Sequence, residues 1–297
     1  MTVGVPGIVD LPRDAPCEFC GTTEGRQLSH IIPKFVFQHA SVRSPTGFLR
    51  TNFSPNRRAQ DGPKEYLLCL ECERRFAAWE RKFAPLFKSH HEQPGKTFDY
   101  GPEEALCALS IAWRVLAHAR AHTEINHLTF GSDYSRTDAA FSVWKQVMLG
   151  ERSNPGAFRV YWMWFDHVVD GPPDINRYLF HAVDFDVLAS ESSSFSIAHL
   201  PGLFIVGSIE KYPRSEFQGF DVSFNGGRYY SLGRKVAPIW LQKYIEGKMR
   251  IRREALDSIS PTQQAKIDAT VLKDPQRAVE SPLFRSVFYD TGGQGRD

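Results

Sequence analysis

The chain has 297 residues, 42% of them hydrophobic and 24% charged, an ordinary globular balance with room for two domains or one large one with a small appendage. No apolar run approaches the ~18 residues that a membrane span requires, and Met1–Pro6 lacks the basic start and apolar core of a signal peptide. A soluble, cytoplasmic, reducing setting is therefore expected, while the net charge of +2 says little about partners.

Residues 1–16, rich in Pro and Gly, read as an arm without periodicity. Cys17-Glu18-Phe19-Cys20 follows, then a brief strand ending at His30 in Ser29-His30-Ile31-Ile32-Pro33. Residues 35–63 read as a long connection punctuated by Pro45, Gly47, Pro55, Gly62 and Pro63, with room for a short hairpin around Phe48, Leu49 and Phe53. A loop of that length is usually functional. Leu67-Leu68-Cys69 reads as a buried strand feeding a helix over 70–88, with Phe76, Trp79, Phe83 and Phe87 as its core face. Glu73 and Glu80 share another face of that helix.

The polar stretch Ser89–Lys96 is taken as a domain boundary, with His90 and His91 a solvated pair. Pro102-Glu103-Glu104 opens a helix with acidic residues in its first turn, where the dipole favours them. Leu106, Leu109, Trp113 and Leu116 make one stripe along it. Ile111 and Val115 make another, continued by His118 and His122. Histidines four apart on a helix can bind metal, but no third ligand is evident, so both are assigned to the core or its edge. Cys107 reads as a small buried hydrophobe.

A second helix is expected over Asp138–Leu149. Phe158–Val168, Arg177–Leu188, Ser194–Ile209 and Phe217–Leu232 then read as strands, with Asn225-Gly226-Gly227 a hairpin turn in the last. Tyr161, Trp162, Trp164, Tyr178, Tyr229 and Tyr230 are mostly core by default. Helical patterns return over Ala237–Leu256 and Pro261–Leu272, before a frayed tail from Thr291. The expected fold class is α+β: an N-terminal module over 1–99, then an α+β domain over 100–297 with an antiparallel sheet flanked by helices.

Two Cys-x-x-Cys pairs, Cys17/Cys20 and Cys69/Cys72, supply the four thiolates that a structural Zn2+ takes in tetrahedral geometry. Disulfides would suit a secreted chain instead. Charge is unevenly spread. No acidic residue lies between Glu24 and Asp61, whereas Arg26, Lys34, Arg43, Arg50, Arg57 and Arg58 do. A second basic run spans Arg234–Arg253, relieved only by Glu246. Such stripes attract phosphate backbones without reading sequence, or are simply solvated faces.

The four-cysteine frame together with Ser29-His30-Ile31-Ile32-Pro33 and Leu67–Glu73 resembles an HNH endonuclease module of the zinc-supported kind, over about the first third of the chain. The resemblance implies a ββα-metal (treble-clef) fold in which a hairpin and a helix grip one catalytic Mg2+ or Mn2+. It also implies DNA as substrate, in a restriction or defence role. His30 falls on the general base and Glu73 on the helix-borne metal ligand, with Glu80 as a second ligand or a partner behind it. Ser29 stands where the family often has an acidic ligand. Lys64 and Glu65 stand near the position of the Asn that orients the base, for which Asn52, Asn56 or Gln60 could substitute. Lys34, Arg57, Arg58, Arg74 and Arg75 would contact phosphates, and the second domain would supply target choice, grip or self-association into a homo-oligomer. The rival expectation is a catalytically silent zinc module that binds nucleic acid or a protein.

Overall fold

The computed structural model describes residues 12–59, 61–92, 97–122, 135–168, 171–189, 193–210, 214–230 and 237–291. The arm over 1–11, Gln60, the linker over 93–96, Arg234, Lys235 and the tail from 292 lie outside the described residues.

Strand β1 (Gln27–His30) pairs antiparallel with β4 (Lys64–Leu68), with Leu28 opposite Tyr66, Ser29 opposite Glu65 and His30 opposite Lys64. The expected long connection between them is largely ordered. It holds helix α1 (Lys34–Val42) and the hairpin of β2 (Leu49–Thr51) with β3 (Ser54–Ala59). The hairpin was expected and the helix was not. Pro33 caps α1 in an extended conformation, which suits a residue that has no N–H to donate. Val36 and Phe37 are the buried residues of α1. Phe37 lies so close to the backbone at Gly62 that a Cβ there would fall 2.0 Å from its ring, so the chain needs glycine at that crossing.

Helix α2 (Leu70–Glu92) follows β4 and runs beyond its expected end. Phe76, Trp79, Phe83 and Phe87 are its buried face, as their spacing implies. His90 and His91 belong to this helix and are not a solvated pair. The ring of His90 lies 4.5 Å from that of Trp164, and His91 is bonded through Nδ1 to the Phe87 carbonyl at 2.8 Å. An amphipathic helix that continues against a wall of aromatics carries its last histidines inward.

Helix α3 (Pro102–Ala121) is buried around most of its circumference, because it lies against α2, α4 (Ser135–Leu149) and a four-stranded sheet. That sheet is antiparallel throughout, in the order β6 (Val160–Trp164), β9 (Leu203–Ser208), β8 (Ser194–Leu200), β7 (Asp184–Ala189). Alternate residues serve two cores, as the period of a strand requires. Val160, Trp162, Leu203 and Ile205 face α3, whereas Tyr161, Met163, Phe204 and Val206 face α5 (Ile175–His181) and α6 (Ile239–Asp257). Helices thus cover both faces of an antiparallel sheet, in keeping with the α+β expectation. The core on the α3 side runs without a break from Cys17 and Phe19 to Ile209, so the spans on either side of residue 99 pack together.

Three expected strands are otherwise. Ser194–Ile209 is not one strand but the two antiparallel strands β8 and β9, joined by a turn at Pro201-Gly202. The first half of Arg177–Leu188 is α5, with Ile175, Tyr178 and Leu179 buried at helical spacing. Among the described residues of Phe217–Leu232, β10 (Gly227–Tyr229) is the strand, and it pairs with β5 (Phe98–Tyr100) rather than closing a hairpin. Gly226 is a turn residue with φ 81°. Of the aromatics singled out in the sequence, Tyr230 is exposed and the other five are buried. Helix α7 (Pro261–Lys273) agrees with expectation. The short helices α8 (Pro275–Glu280) and α9 (Pro282–Asp290) do not appear in the sequence reading; each has proline at its start and a side-chain cap, from Asp274 and Ser281. Among the described residues, no helix is long and apolar enough to cross a membrane.

Candidate functional site

The four cysteines converge. One sulfur from each of Cys17, Cys20, Cys69 and Cys72 lies within 4.8 Å of the others. The Cys20 and Cys69 sulfurs are 3.6 Å apart, close to the roughly 3.8 Å edge of a tetrahedral thiolate shell with bonds of about 2.3 Å and far from a disulfide bond of about 2.05 Å. The first knuckle is a tight turn closed by Gly21 N–H on the Cys17 carbonyl at 2.8 Å, with Gly21 at φ 79°. The second lies where β4 runs into α2. Cys17 is buried, which would raise its thiol, but backbone N–H groups aimed at its sulfur, Cys69 N among them at 3.2 Å, leave it below the ordinary value. Burial and the neighbouring Cys17 push the Cys72 thiol up. Thiolates this close repel one another unless a cation neutralises them, and the cluster is one that can hold a metal such as zinc. Arg26 braces it, donating to the carbonyls of Pro16 (2.7 Å) and Tyr66 (3.1 Å) and to Glu18 (2.7 Å). This member of the first basic run is thus an internal brace. Phe19 carries the first knuckle into the core, edge-on to Phe76 at 5.0 Å and Trp113 at 5.5 Å.

His30 closes β1 with its Nε2 2.7 Å from Asp61 Oδ1. Asp61 also takes the Lys64 ammonium at 2.6 Å and the Gly62 N–H at 2.9 Å. Burial alone would raise this carboxyl, but Lys64, His30 and the Gly62 amide together hold it down at about 2, so it is ionised at neutral pH. Phe37 stacks beside the imidazole at 6.5 Å. Asp61 was not singled out in the sequence. The only signal there was its place as the acidic residue that ends a long basic run.

The carboxylates of α2 have different fates. Glu80 forms an ion pair at 2.9 Å with Arg114 of α3, whose guanidinium also donates to the His30 carbonyl at 3.1 Å. Glu73, in the first turn of α2, has one buried oxygen, Oε1, without a hydrogen-bond partner. His30, Glu73 and Glu80 do not form a common ligand cluster among the described residues; the clusters there are the four cysteines and a second set, Glu65, His118 and His122. Asn56 is turned away from His30 towards Ser258 and Ser260. Lys34, Arg57, Arg58, Arg74 and Arg75 are all exposed. Arg58 lies over the Phe48 ring at 4.1 Å, and Arg74 is 3.7 Å from Glu71.

No protein-family model, curated protein or solved structure matches this chain.

Proposed function

We propose that the chain is a metal-dependent endonuclease of HNH type that hydrolyses DNA phosphodiester bonds, with His30 as general base on a zinc-bound treble-clef scaffold. The observation that carries this reading is the His30–Asp61 pair. A carboxylate on Nε2 fixes the imidazole tautomer and leaves Nδ1 to take a proton from water. It also stabilises the imidazolium once that proton arrives. The order of elements supports the same reading, since the β1–β4 hairpin runs directly into α2 as a ββα unit.

Glu73 is the protein ligand for a Mg2+ or Mn2+ ion in this scheme, its orphaned Oε1 being the polar atom that lacks a partner. Magnesium is commonly held by one or two carboxylates, water and substrate phosphate, so a single protein ligand fits. Bound there, the ion would neutralise charge on the leaving oxygen. Glu80 is tied to Arg114 and is assigned a positioning role. Arg57, Arg58, Arg74, Arg75 and Lys34 would meet the phosphate backbone, where contacts of this kind position rather than specify.

The test is cleavage of supercoiled plasmid with magnesium or manganese, beside His30→Ala and an EDTA control. Cleavage that needs the metal and disappears in the variant is the expected result. The second reading, a zinc module that binds nucleic acid without cutting it, is favoured by Arg114, whose guanidinium already stands between the His30 carbonyl and Glu80. It would take over if DNA is retained in a shift assay and no metal yields cleavage.

A further inference from the structure

Two histidines near the end of α3, set aside in the sequence for want of a third ligand, acquire one in the fold. Glu65 of β4 points away from His30, because adjacent strand residues alternate faces, and reaches the α3 side of the hairpin. Its Oε1 lies 2.7 Å from His118 Nδ1 and is also in contact with His122 Nε2. A ligand atom from each of the three lies within 4.8 Å of the others. Glu65 is 3% exposed and His118 6%; His122, which caps α3, lies at the rim.

We propose that Glu65, His118 and His122 bind a second metal ion, a borderline d-block dication of the zinc type, through two imidazole nitrogens and a carboxylate. Three observations carry this beyond a hydrogen-bonded triad. Both imidazoles are aimed at the same carboxylate oxygen, whereas its twin, Oε2, is buried without any partner. Glu65 makes no ion pair with Lys or Arg among the described residues, its two ion-pair contacts being the histidines. A buried carboxylate with one oxygen orphaned is a costly arrangement; a dication supplies a compensating charge and a bond for the second oxygen. The histidines, four apart, present one donor each from the same side of α3. The edge of Phe185 packs at 5.2 Å against the His118 ring and fixes its plane.

The donor set decides the ion. Two imidazoles and one carboxylate suit zinc, cobalt or nickel rather than calcium or magnesium. Bonds of about 2.0–2.2 Å to nitrogen and oxygen would set donors roughly 3.3 Å apart, a small outward rotation from the 2.7 Å contact. Such an ion would tie β4 to α3, and it would do so whether or not the chain cuts DNA.

Cobalt distinguishes this site from the thiolate cage, because only cysteine ligands give intense near-ultraviolet charge transfer. In a titration of metal-free full-length chain with Co2+, two equivalents are expected. One brings thiolate charge transfer, and the other adds visible d–d absorption without it. Elemental analysis of the zinc-loaded protein should give two ions per chain, falling to one in His122→Ala and in Glu65→Gln with the thiolate signature intact. One equivalent in the wild type, or two in both variants, overturns the proposal. Should either variant misfold by circular dichroism, the wild-type cobalt titration decides alone.

Discussion

The two faces of the β1–β4 hairpin carry similar side chains in opposite circumstances. On one face the cross-strand pair His30 and Lys64 meets Asp61 at a half-buried edge, where an ionised carboxylate steadies an imidazole. On the other, one residue along each strand, Ser29 and Glu65 are sealed against α3 and its histidines. A carboxylate beside imidazole thus lies within reach of water on one face, where the proposed base would need it, and is sealed from water on the other, where the proposed ligand set lies. The alternation of a strand separates the two within a single step.

The broadest way to collapse this contrast is to remove the cage that both faces hang from. Cys72→Ser should abolish stoichiometric zinc at the four-sulfur site and unfold the N-terminal region. The free energy of structural zinc sites in isolated finger peptides is about 10–16 kcal/mol, so the effect should exceed that of any other single change. Zinc content and thermal unfolding with and without chelator would measure it.

Next in size is Arg114→Met. It leaves Glu80 without its partner and the His30 carbonyl without its donor, and breaking a buried pair in this way costs about 3–5 kcal/mol. Denaturant unfolding should show a loss at the lower end of that range, since Glu80 retains 21% of its side-chain exposure. A loss under 1 kcal/mol would mean that the pair does not fasten α3 to the hairpin.

Acid should loosen the packing of α1 on α2 first. His39 of α1 and His91 of α2 are in edge contact, 4.4 Å between centroids. Burial lowers them to about 3 and about 4, with further lowering from Arg43 in both cases, and from Lys88, His181 and His91 for His39. Both are neutral when folded and protonate near 6.5 when unfolded. Their contribution is therefore complete above pH 6.5 and is lost as pH falls through 4 and then 3. Each costs roughly 1.4 kcal/mol per pH unit across its window. Hydrogen exchange should rise in α1 before β4, and unfolding midpoints should fall steadily below pH 6.

The smallest effect on stability separates chemistry from scaffold. Asp61→Asn removes ion pairs at a carboxylate that keeps 30% of its side-chain exposure, where solvent screening discounts the gain implied by its lowered pKa to about 1 kcal/mol, so the midpoint should move little. If His30 is the base, plasmid cleavage should nonetheless fall by about 10²-fold or more.

These contrasts were legible in the sequence to very different degrees. The four cysteines could be read directly, because each knuckle is a local spacing and two knuckles complete one coordination shell. Helices α2, α3, α6 and α7 followed from apolar periodicity. Glu65 and Asp61 could not be assigned, since their partners lie 53 and 31 residues away and only strand register brings them together. Helix α1 was hidden by the prolines and glycines that surround it. The misread start of Arg177–Leu188 has a different cause. Tyr178, Leu179 and Phe180 are all buried, and a short apolar run of that kind does not separate helix from strand. The tertiary context settles it, including Asp290 of α9, which accepts hydrogen bonds from the backbone N–H groups of Asn176 and Arg177.

The insertion between β1 and β4 has a consequence for assembly of the chain. Cys17 must wait for Cys69, 52 residues later, before the cage can close, and such distant pairings are slow because loop closure precedes any reward. On a ribosome the first knuckle would emerge with only two of the four cysteines and could hold a metal no more strongly than a bidentate chelate. Capture of an ion by the cage and registration of β1 on β4 would then be a single late event, completed only after the intervening basic hairpin has been made.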